Sequence, residues 1–371
     1  MKVSCERDKL APAFQTASAV APARSTKPIL QNVKLEVHGD SATLIANDLE
    51  IGVRVEVPGV QIETPGSVML PTSRFNQILR ESGDAALRLE SDAQGTLVRG
   101  ERSEFRLLSE NPDEFPTVAT FNEAAYHELP ARLLRELIRR TVFATDVEST
   151  RYALGGVLIE LTEDKITAVG TDGRRLAMMS APAASVGGHK TGDTTTIIPT
   201  KAMHLIERAL GDADSEIRLA LKSNSALVKS ERTTISSRLV EGRFPKWRDV
   251  FPKRDSAARI EMAVGPFLSA VKQAAILTSD ESRGVDFTFG DGKLTLAGKA
   301  AEAGQSRVEL PIAYDGSELS ITLDPRFVID FLKVLDPAKS FTIEIKDAES
   351  AAVCSTDDGY GYVIMPLARE R

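Results

Sequence analysis

Thr171-Asp172-Gly173-Arg174-Arg175-Leu176-Ala177 is the stretch on which the reading of this chain turns. It follows the apolar run Ile166-Thr167-Ala168-Val169-Gly170 and leads into Leu176-Ala177-Met178-Met179. Asp-Gly between two strand-like runs predicts a hairpin turn. A carboxylate beside two arginines also leaves a chemical site open, so the surroundings have to decide.

The same sequence of events surrounds it three times. Asp8–Ala19 reads as a short helix, with Leu10, Phe14 and Ala17 on one face and Pro12 in the first turn. Strands are expected at Ile29–Val37, Ala42–Ala46 and, after Asn47-Asp48-Leu49-Glu50, at Ile51–Val57. Pro71-Thr72-Ser73 opens a helix with Phe75, Ile78 and Leu79 on one face, and strands run on to Glu114-Phe115-Pro116. The order returns with a helix from Leu129-Pro130 through Ala144, a helix at Pro199-Thr200-Lys201 and strands ending at Arg243-Phe244-Pro245. It returns again with Gly265-Pro266-Phe267 through Leu277, then Asp324-Pro325 opening Arg326–Leu335.

The spacings fix the period. Pro71 to Pro199 is 128 positions, Pro199 to Pro325 is 126, Asp48 to Asp172 is 124 and Gly170 to Gly298 is 128. A repeat this long means tandem domains of one fold, here 1–125, 126–256 and 257–371. Each holds two helices and about eight short strands, too few helices to cover both faces of parallel sheets. The expected class is therefore α+β, with helices packed on antiparallel sheets. Three similar domains in a row form a modular array, which closes into a ring when its ends are complementary.

Composition narrows the function. The 371 residues carry a net charge of −7, spread as −5, +4 and −6 over the three repeats. That argues against a generally basic nucleic-acid binder but leaves a locally basic middle domain. No apolar run is long enough to cross a bilayer, the start lacks a signal-peptide core, and Cys5 and Cys354 have no metal or disulfide pattern. A reducing, cytoplasmic setting is expected.

Catalytic and metal motifs are not found. His38, His127, His189 and His204 lack metal-ligand spacing and read as separate exposed or loop histidines. No nucleophile elbow, phosphate loop or dinucleotide fingerprint is present. Ala183–Thr196 reads as a polar surface loop and Asp357-Asp358-Gly359 as a turn. Basic residues give a better lead: Arg132, Arg135 and Arg139 share one helix face, and Arg74, Arg80, Lys201 and Arg208 lie on or beside other helices. These residues fit either a solvated face or a stripe directed at phosphates.

Four stretches in order resemble one family, the bacterial DNA polymerase III β subunits: Arg24-Ser25-Thr26-Lys27-Pro28-Ile29-Leu30-Gln31-Asn32, Thr171–Ala177, Leu239-Val240-Glu241-Gly242-Arg243-Phe244-Pro245 and Tyr362-Val363-Ile364-Met365-Pro366-Leu367. The resemblance spans essentially the whole chain. It implies three tandem clamp domains, a head-to-tail homodimer closed into a ring, helices lining the hole and duplex DNA passing through without being read for sequence. A ring holds DNA by topology, so its contacts can be few, phosphate-directed and compatible with sliding.

By motif position, the resemblance assigns DNA contacts to Arg24, Arg151, Tyr152 and Lys201. It assigns a peptide pocket to Leu154, Thr171, Gly173, Arg174, Arg175, Leu176, Pro245, Val250, Met365, Pro366 and Leu367. Leu154, Leu176 and Val250 would equally suit plain core. It assigns the dimer contact to Phe105, Ile276 and Leu277. The implied partners are double-stranded DNA, a second copy, the replicative polymerase's catalytic subunit, the clamp loader, and repair or translesion polymerases. It implies no catalytic residue, metal, cofactor or membrane.

Three departures bear on details. Asp249 stands where some relatives carry a basic residue, the tail extends as Ala368-Arg369-Glu370-Arg371, and the third repeat has Lys299-Ala300-Ala301 in place of the Asp-Gly turn. A scaffold that does not bind DNA, or an enzyme using Asp172, would be the competing functions.

Overall fold

The structure, a computed structural model, describes residues 1–367 except 93–94, 109, 147, 149–151, 193, 252–256, 280–282 and 301–302, and the side chain of Tyr152 is likewise outside the description. Among the described residues, six α-helices form, two per repeat: Arg7–Ser18, Thr72–Glu81, Ala131–Thr141, Thr200–Ala209, Val264–Ala274 and Pro325–Lys333. Their apolar residues fall at helical spacing and are the ones buried, as with Phe75, Ile78 and Leu79 or Phe327, Val328, Phe331 and Leu332. Asp324 caps the last helix, accepting from Arg326 N, with Pro325 in the first turn where no amide partner is needed.

The chain forms two compact units. The first comprises Met1–Arg135, Leu161–Asp164 and Ala183–Val240; the second comprises Glu136–Glu160, Lys165–Pro182 and Glu241–Arg371. The middle repeat thus contributes to both.

In the first unit, Val60–Thr64, Lys2–Glu6, Ala86–Asp92, Gly95–Arg99 and Glu104–Leu107 make a five-stranded sheet in that order. A nine-stranded sheet runs Ala184–Val186, Tyr126–Pro130, Glu216–Leu221, Ser225–Lys229, Thr233–Arg238, Ile51–Glu56, Ser41–Asn47, Asn32–His38 and Gly66–Pro71. In it the strands of two repeats meet where Thr233–Arg238 pairs antiparallel with Ile51–Glu56, Ser237 opposite Ile51. Phe14 and Phe75 pack edge to face at 4.7 Å, and Leu30, Ile45, Met69, Phe115 and Val118 form a further apolar cluster.

The second unit repeats that junction. Its long sheet places Gly156–Leu161, Lys165–Thr171, Arg175–Pro182, Tyr360–Ile364, Ala352–Ser355, Ser340–Ile345 and Ala258–Ala263 side by side. The repeats meet where Arg175–Pro182 pairs antiparallel with Tyr360–Ile364, Arg175 opposite Ile364. Beyond each junction the same backbone bond follows: Arg238 N to Glu50 O in the first unit and Met365 N to Arg174 O in the second, both 2.9 Å. A four-stranded sheet, Gly304–Pro311, Lys293–Ala300, Val285–Gly290 and Leu319–Leu323, completes this unit. Phe331 anchors its core, stacked on Tyr362 at 4.9 Å and edge-on to Phe341 at 5.2 Å.

The repeated glycines have a steric cause. A Cβ on Gly170 would stand 2.2 Å from the Thr141 carbonyl oxygen, and one on Gly298 would stand 2.8 Å from that of Ala274. Both carbonyls end the first helix of their repeat, so the strand backbone lies against the helix terminus where a side chain would intrude.

Four local expectations are corrected. Pro28–Gln31 forms a 3-10 turn and the strand begins at Asn32, because Pro28 has no amide to donate and suits the first position of a turn. Pro12 lies inside its helix rather than in the first turn. The helices expected to run through Ala144 and Leu277 finish as 3-10 turns, Val142–Ala144 and Ala275–Leu277. The polar run 183–196 is not wholly surface loop: Ala184–Val186 pairs with Tyr126–Pro130, and His189 is buried.

Candidate functional site

The Asp-Gly turn forms as expected, with Thr171 opposite Leu176 closing the hairpin. Asp172 Oδ1 accepts the amides of Arg174 (2.8 Å) and Arg175 (3.0 Å), and Gly173 takes φ 86°, where a side chain is disfavoured. Thr171 Oγ1 donates to Arg175 O at 2.6 Å. The first repeat builds the same turn: Asp48 Oδ1 accepts from Glu50 N (3.0 Å) and Ile51 N (2.7 Å).

The two arginines differ. Arg175 is half-buried and fully engaged: Nε donates to Asp172 Oδ2 (3.0 Å), Nη1 to Asp330 Oδ2 (2.8 Å) and Nη2 to Phe143 O (2.8 Å). Its guanidinium lies 4.5 Å above the Phe327 ring. Burial opposes its charge, but Tyr362, Asp330 and Asp172 outweigh that and hold its pKa above the ordinary arginine value. Arg174 is exposed, with its guanidinium 5.3 Å from the same ring, and its carbonyl accepts the Met365 amide. Asp172 has both oxygens committed to this turn, which gives it a structural role.

The hairpin therefore gathers Thr171, Gly173, Arg174, Arg175 and Leu176 with the tail residues Met365, Pro366 and Leu367. Met365 is exposed, Pro366 and Leu367 are half-buried, and Leu367 N donates to Thr322 O at 2.9 Å. Leu154 and Pro245 instead line a groove of about 570 Å³ together with Ala153, Gly242, Arg243 and Phe244. Leu154 and Leu176 are themselves buried. Val250 is half-buried at the end of the 3-10 turn Trp247–Val250, which Glu160 pins by accepting from Trp247 Nε1 (3.2 Å) and Arg248 Nη1 (3.1 Å). Asp249 is exposed on that turn. Phe327, the ring beneath both arginines, was not foreseen, since nothing local connects it to a turn some 150 positions earlier.

The remaining candidates sit as follows. Arg24 is exposed on the loop before Pro28. Lys201 is exposed and its ammonium bonds Asp48 Oδ2, which ties it to the first repeat's turn. Arg151 lies outside the described residues; Tyr152 opens the 3-10 turn Tyr152–Leu154. The helical arginines have partners: Arg132 Nε to Asp214 at 3.3 Å, Arg135 to the carbonyls of Leu210 and Gly211, and Arg139 to Val334 O. Phe105 is exposed on the sheet-edge strand Glu104–Leu107, Ile276 is 74% exposed, and Leu277 is half-exposed. Leu108, 85% exposed beside Phe105, is a further apolar surface residue that the sequence reading passed over.

The histidine reading holds for His38 and His204, which are exposed, and is corrected for the other two. His127 and His189 are buried and meet, Nδ1 to Nδ1, at 2.9 Å. Among the described residues no cluster of three or more His, Cys, Asp or Glu could hold a metal, and no helix is long and apolar enough to cross a membrane.

Three family models match the chain in tandem: the DNA polymerase III beta subunit N-terminal domain over residues 1–119, its central domain over 128–246 and its C-terminal domain over 248–368. The chain belongs to the DNA polymerase III beta subunit family. It is 30% identical to the beta sliding clamp of Chlamydia pneumoniae, over 99% of both chains, and 30% identical to that of Escherichia coli K12, over 99% of this chain and 100% of the relative. The DNA polymerase III subunit beta of Pseudomonas aeruginosa matches in crystal structure with a TM-score of 0.90 at 26% identity, all of both chains being covered. The expected class is thereby confirmed, three tandem clamp domains of helices and antiparallel sheets, and the chain is a sliding clamp of this family.

Proposed function

We propose that two copies of this chain close head to tail into a ring that encircles duplex DNA and tethers the replicative polymerase, without catalytic chemistry of its own. The observation that carries the reading is the repeated junction. Strand Thr233–Arg238 pairs with Ile51–Glu56, and its counterpart Tyr360–Ile364 pairs with Arg175–Pro182. One further member of each series remains, Glu104–Leu107 from the first repeat and Gly304–Pro311 from the third. Each is the last strand of its sheet among the described residues. An edge strand is a template for pairing. Pairing the two edges between copies makes the same junction a third time, and the reciprocal pairing closes a two-fold ring. Beside Glu104–Leu107 lies a cavity of about 630 Å³ lined by Arg74, Gln77, Ile78, Phe105 and Leu107. It suits Ile276 and Leu277 of a second copy.

In this ring Arg24, Arg151, Tyr152 and Lys201 contact the duplex, largely through phosphates, so binding is independent of sequence and sensitive to salt. The Thr171–Leu176 turn, Met365–Leu367, Val250 and the Leu154–Pro245 groove receive short peptides with apolar anchors, carried by polymerase, clamp loader and repair or translesion polymerases. Arg174 faces the ligand, while Arg175 holds the turn in place. We place the domain limits at 1–125, 126–256 and 257–371, and the protein in the cytoplasm.

The test is mass in solution. Sedimentation equilibrium is expected to give twice the chain mass of 40.2 kDa, falling to one chain in Phe105→Asp or Ile276→Asp with the circular dichroism spectrum unchanged. A monomer at micromolar concentration in the parent protein would overturn the ring.

A further inference from the structure

The buried histidine pair belongs to neither the DNA contacts nor the peptide site, and its hydrogen bonds determine its protonation. His127 Nε2 lies 2.6 Å from Thr162 O, an atom that can only accept, so this nitrogen carries a proton. In the neutral ring His127 Nδ1 is then an acceptor. His189 Nδ1, 2.9 Å away, must supply the proton between them. That leaves His189 Nε2 unprotonated, and the Leu221 amide donates to it at 3.2 Å. The relay runs Leu221 N–H to His189, His189 to His127, and His127 to Thr162 O, with each nitrogen in one role.

We propose that this imidazole–imidazole clasp is an acid-sensitive fastener, which holds the 184–192 segment on the first unit's sheet when neutral and releases it on protonation. Outside the clasp the segment is tied to the neighbouring 161–163 stretch by Ser185 N to Glu163 O (3.1 Å), Thr191 N to Leu161 O (3.3 Å) and Leu161 N to Thr191 Oγ1 (3.0 Å). Ala184–Val186 is a three-residue edge strand on Tyr126–Pro130, and Ser185 Oγ donates to His189 O at 2.8 Å. A proton added at His127 Nδ1 would set two N–H groups against each other at 2.9 Å. One added at His189 Nε2 would oppose the Leu221 amide and have only Leu221 O, at 3.1 Å, to receive it. Either proton also puts a charge into a buried site.

Charged groups on the surrounding elements do not compensate. Glu128 pairs with Arg218 (3.4 Å), Lys222 pairs with Glu123 (2.7 Å), and Glu163, Asp164 and Lys190 are exposed. Burial depresses the pKa of His127, as does His189, against an upward pull from the Thr162 carbonyl. With the native value below the ordinary value of about 6.5, the unfolded or opened state binds more protons between the two. The clasp's contribution is therefore complete above about pH 6.5 and is lost as pH falls through the depressed native value.

The test uses the intact protein labelled with 15N-histidine. At about pH 7.5 a scalar coupling between the two Nδ1 nuclei is expected, with Nε2 protonated on His127 and Nδ1 protonated on His189. Hydrogen exchange of residues 184–192, corrected for intrinsic rate, should rise several-fold on moving to about pH 5.5. Residues 340–345 should not follow, and the rise should vanish in His127→Gln/His189→Gln. If both rings are protonated at Nε2 without coupling, or if protection of 184–192 is the same at both pH values in the parent protein, the proposal is overturned.

Discussion

Leu49 and Gly173 stand at the same position of the same turn, 124 residues apart, with φ 78° at the leucine and 86° at the glycine. In each turn the preceding aspartate satisfies the two following amides. The first repeat thus holds a leucine in a left-handed conformation that disfavours side chains by roughly 1–2 kcal/mol. Leu49→Gly is expected to be neutral or stabilising by up to about 1 kcal/mol, the relief being partly offset by glycine's greater freedom when unfolded. Gly173→Ala is expected to destabilise by about 1 kcal/mol, although its Cβ would enter open space. Urea titration of both variants checks the opposite signs.

The glycines under the helix ends give an ordered pair. Gly170→Ala drives a Cβ to 2.2 Å from a backbone oxygen, whereas Gly298→Ala meets one at 2.8 Å and a serine hydroxyl that can rotate. Gly170→Ala should cost about 2–3 kcal/mol and Gly298→Ala about 1. Thermal unfolding monitored by circular dichroism would rank them, and the reverse order would contradict the close-approach account.

Tyr360 and Tyr362 are both buried, yet among the described residues only one hydroxyl has a partner. Tyr362 Oη donates to Phe327 O at 3.0 Å, while Tyr360 Oη has none. Tyr362→Phe should destabilise by about 1–2 kcal/mol because the carbonyl loses its donor. Tyr360→Phe should be neutral or stabilising by up to about 1 kcal/mol, since it removes an unsatisfied polar group. Midpoints of guanidinium unfolding at neutral pH report both.

Much of this was legible in the sequence. Pro-Thr and Phe-Pro recur at a fixed period, with Pro325 in the third helix start, because the same helix starts and chain reversals are rebuilt between domains, and Phe115 and Phe244 are both buried as that period requires. The Asp172 turn was readable because its hydrogen bonds are local. Arg175 was not, since its role depends on Asp330 and Phe143, distant in sequence and adjacent only after folding. The histidine pair was missed for the same reason: 62 residues separate two side chains that no short-range pattern connects. Phe105 and Ile276 came from the family resemblance. The edge strands that give them a purpose emerge only from the sheet order.

The most direct test of the ring is retention on DNA of different topology. Labelled protein is loaded by a clamp loader onto nicked circular duplex and separated by gel filtration in moderate salt; half the sample is first linearised with a single-cutting nuclease. The ring account predicts co-elution with the circle and loss from the linear molecule, because topology rather than affinity holds the protein. Equal retention on both forms would contradict it.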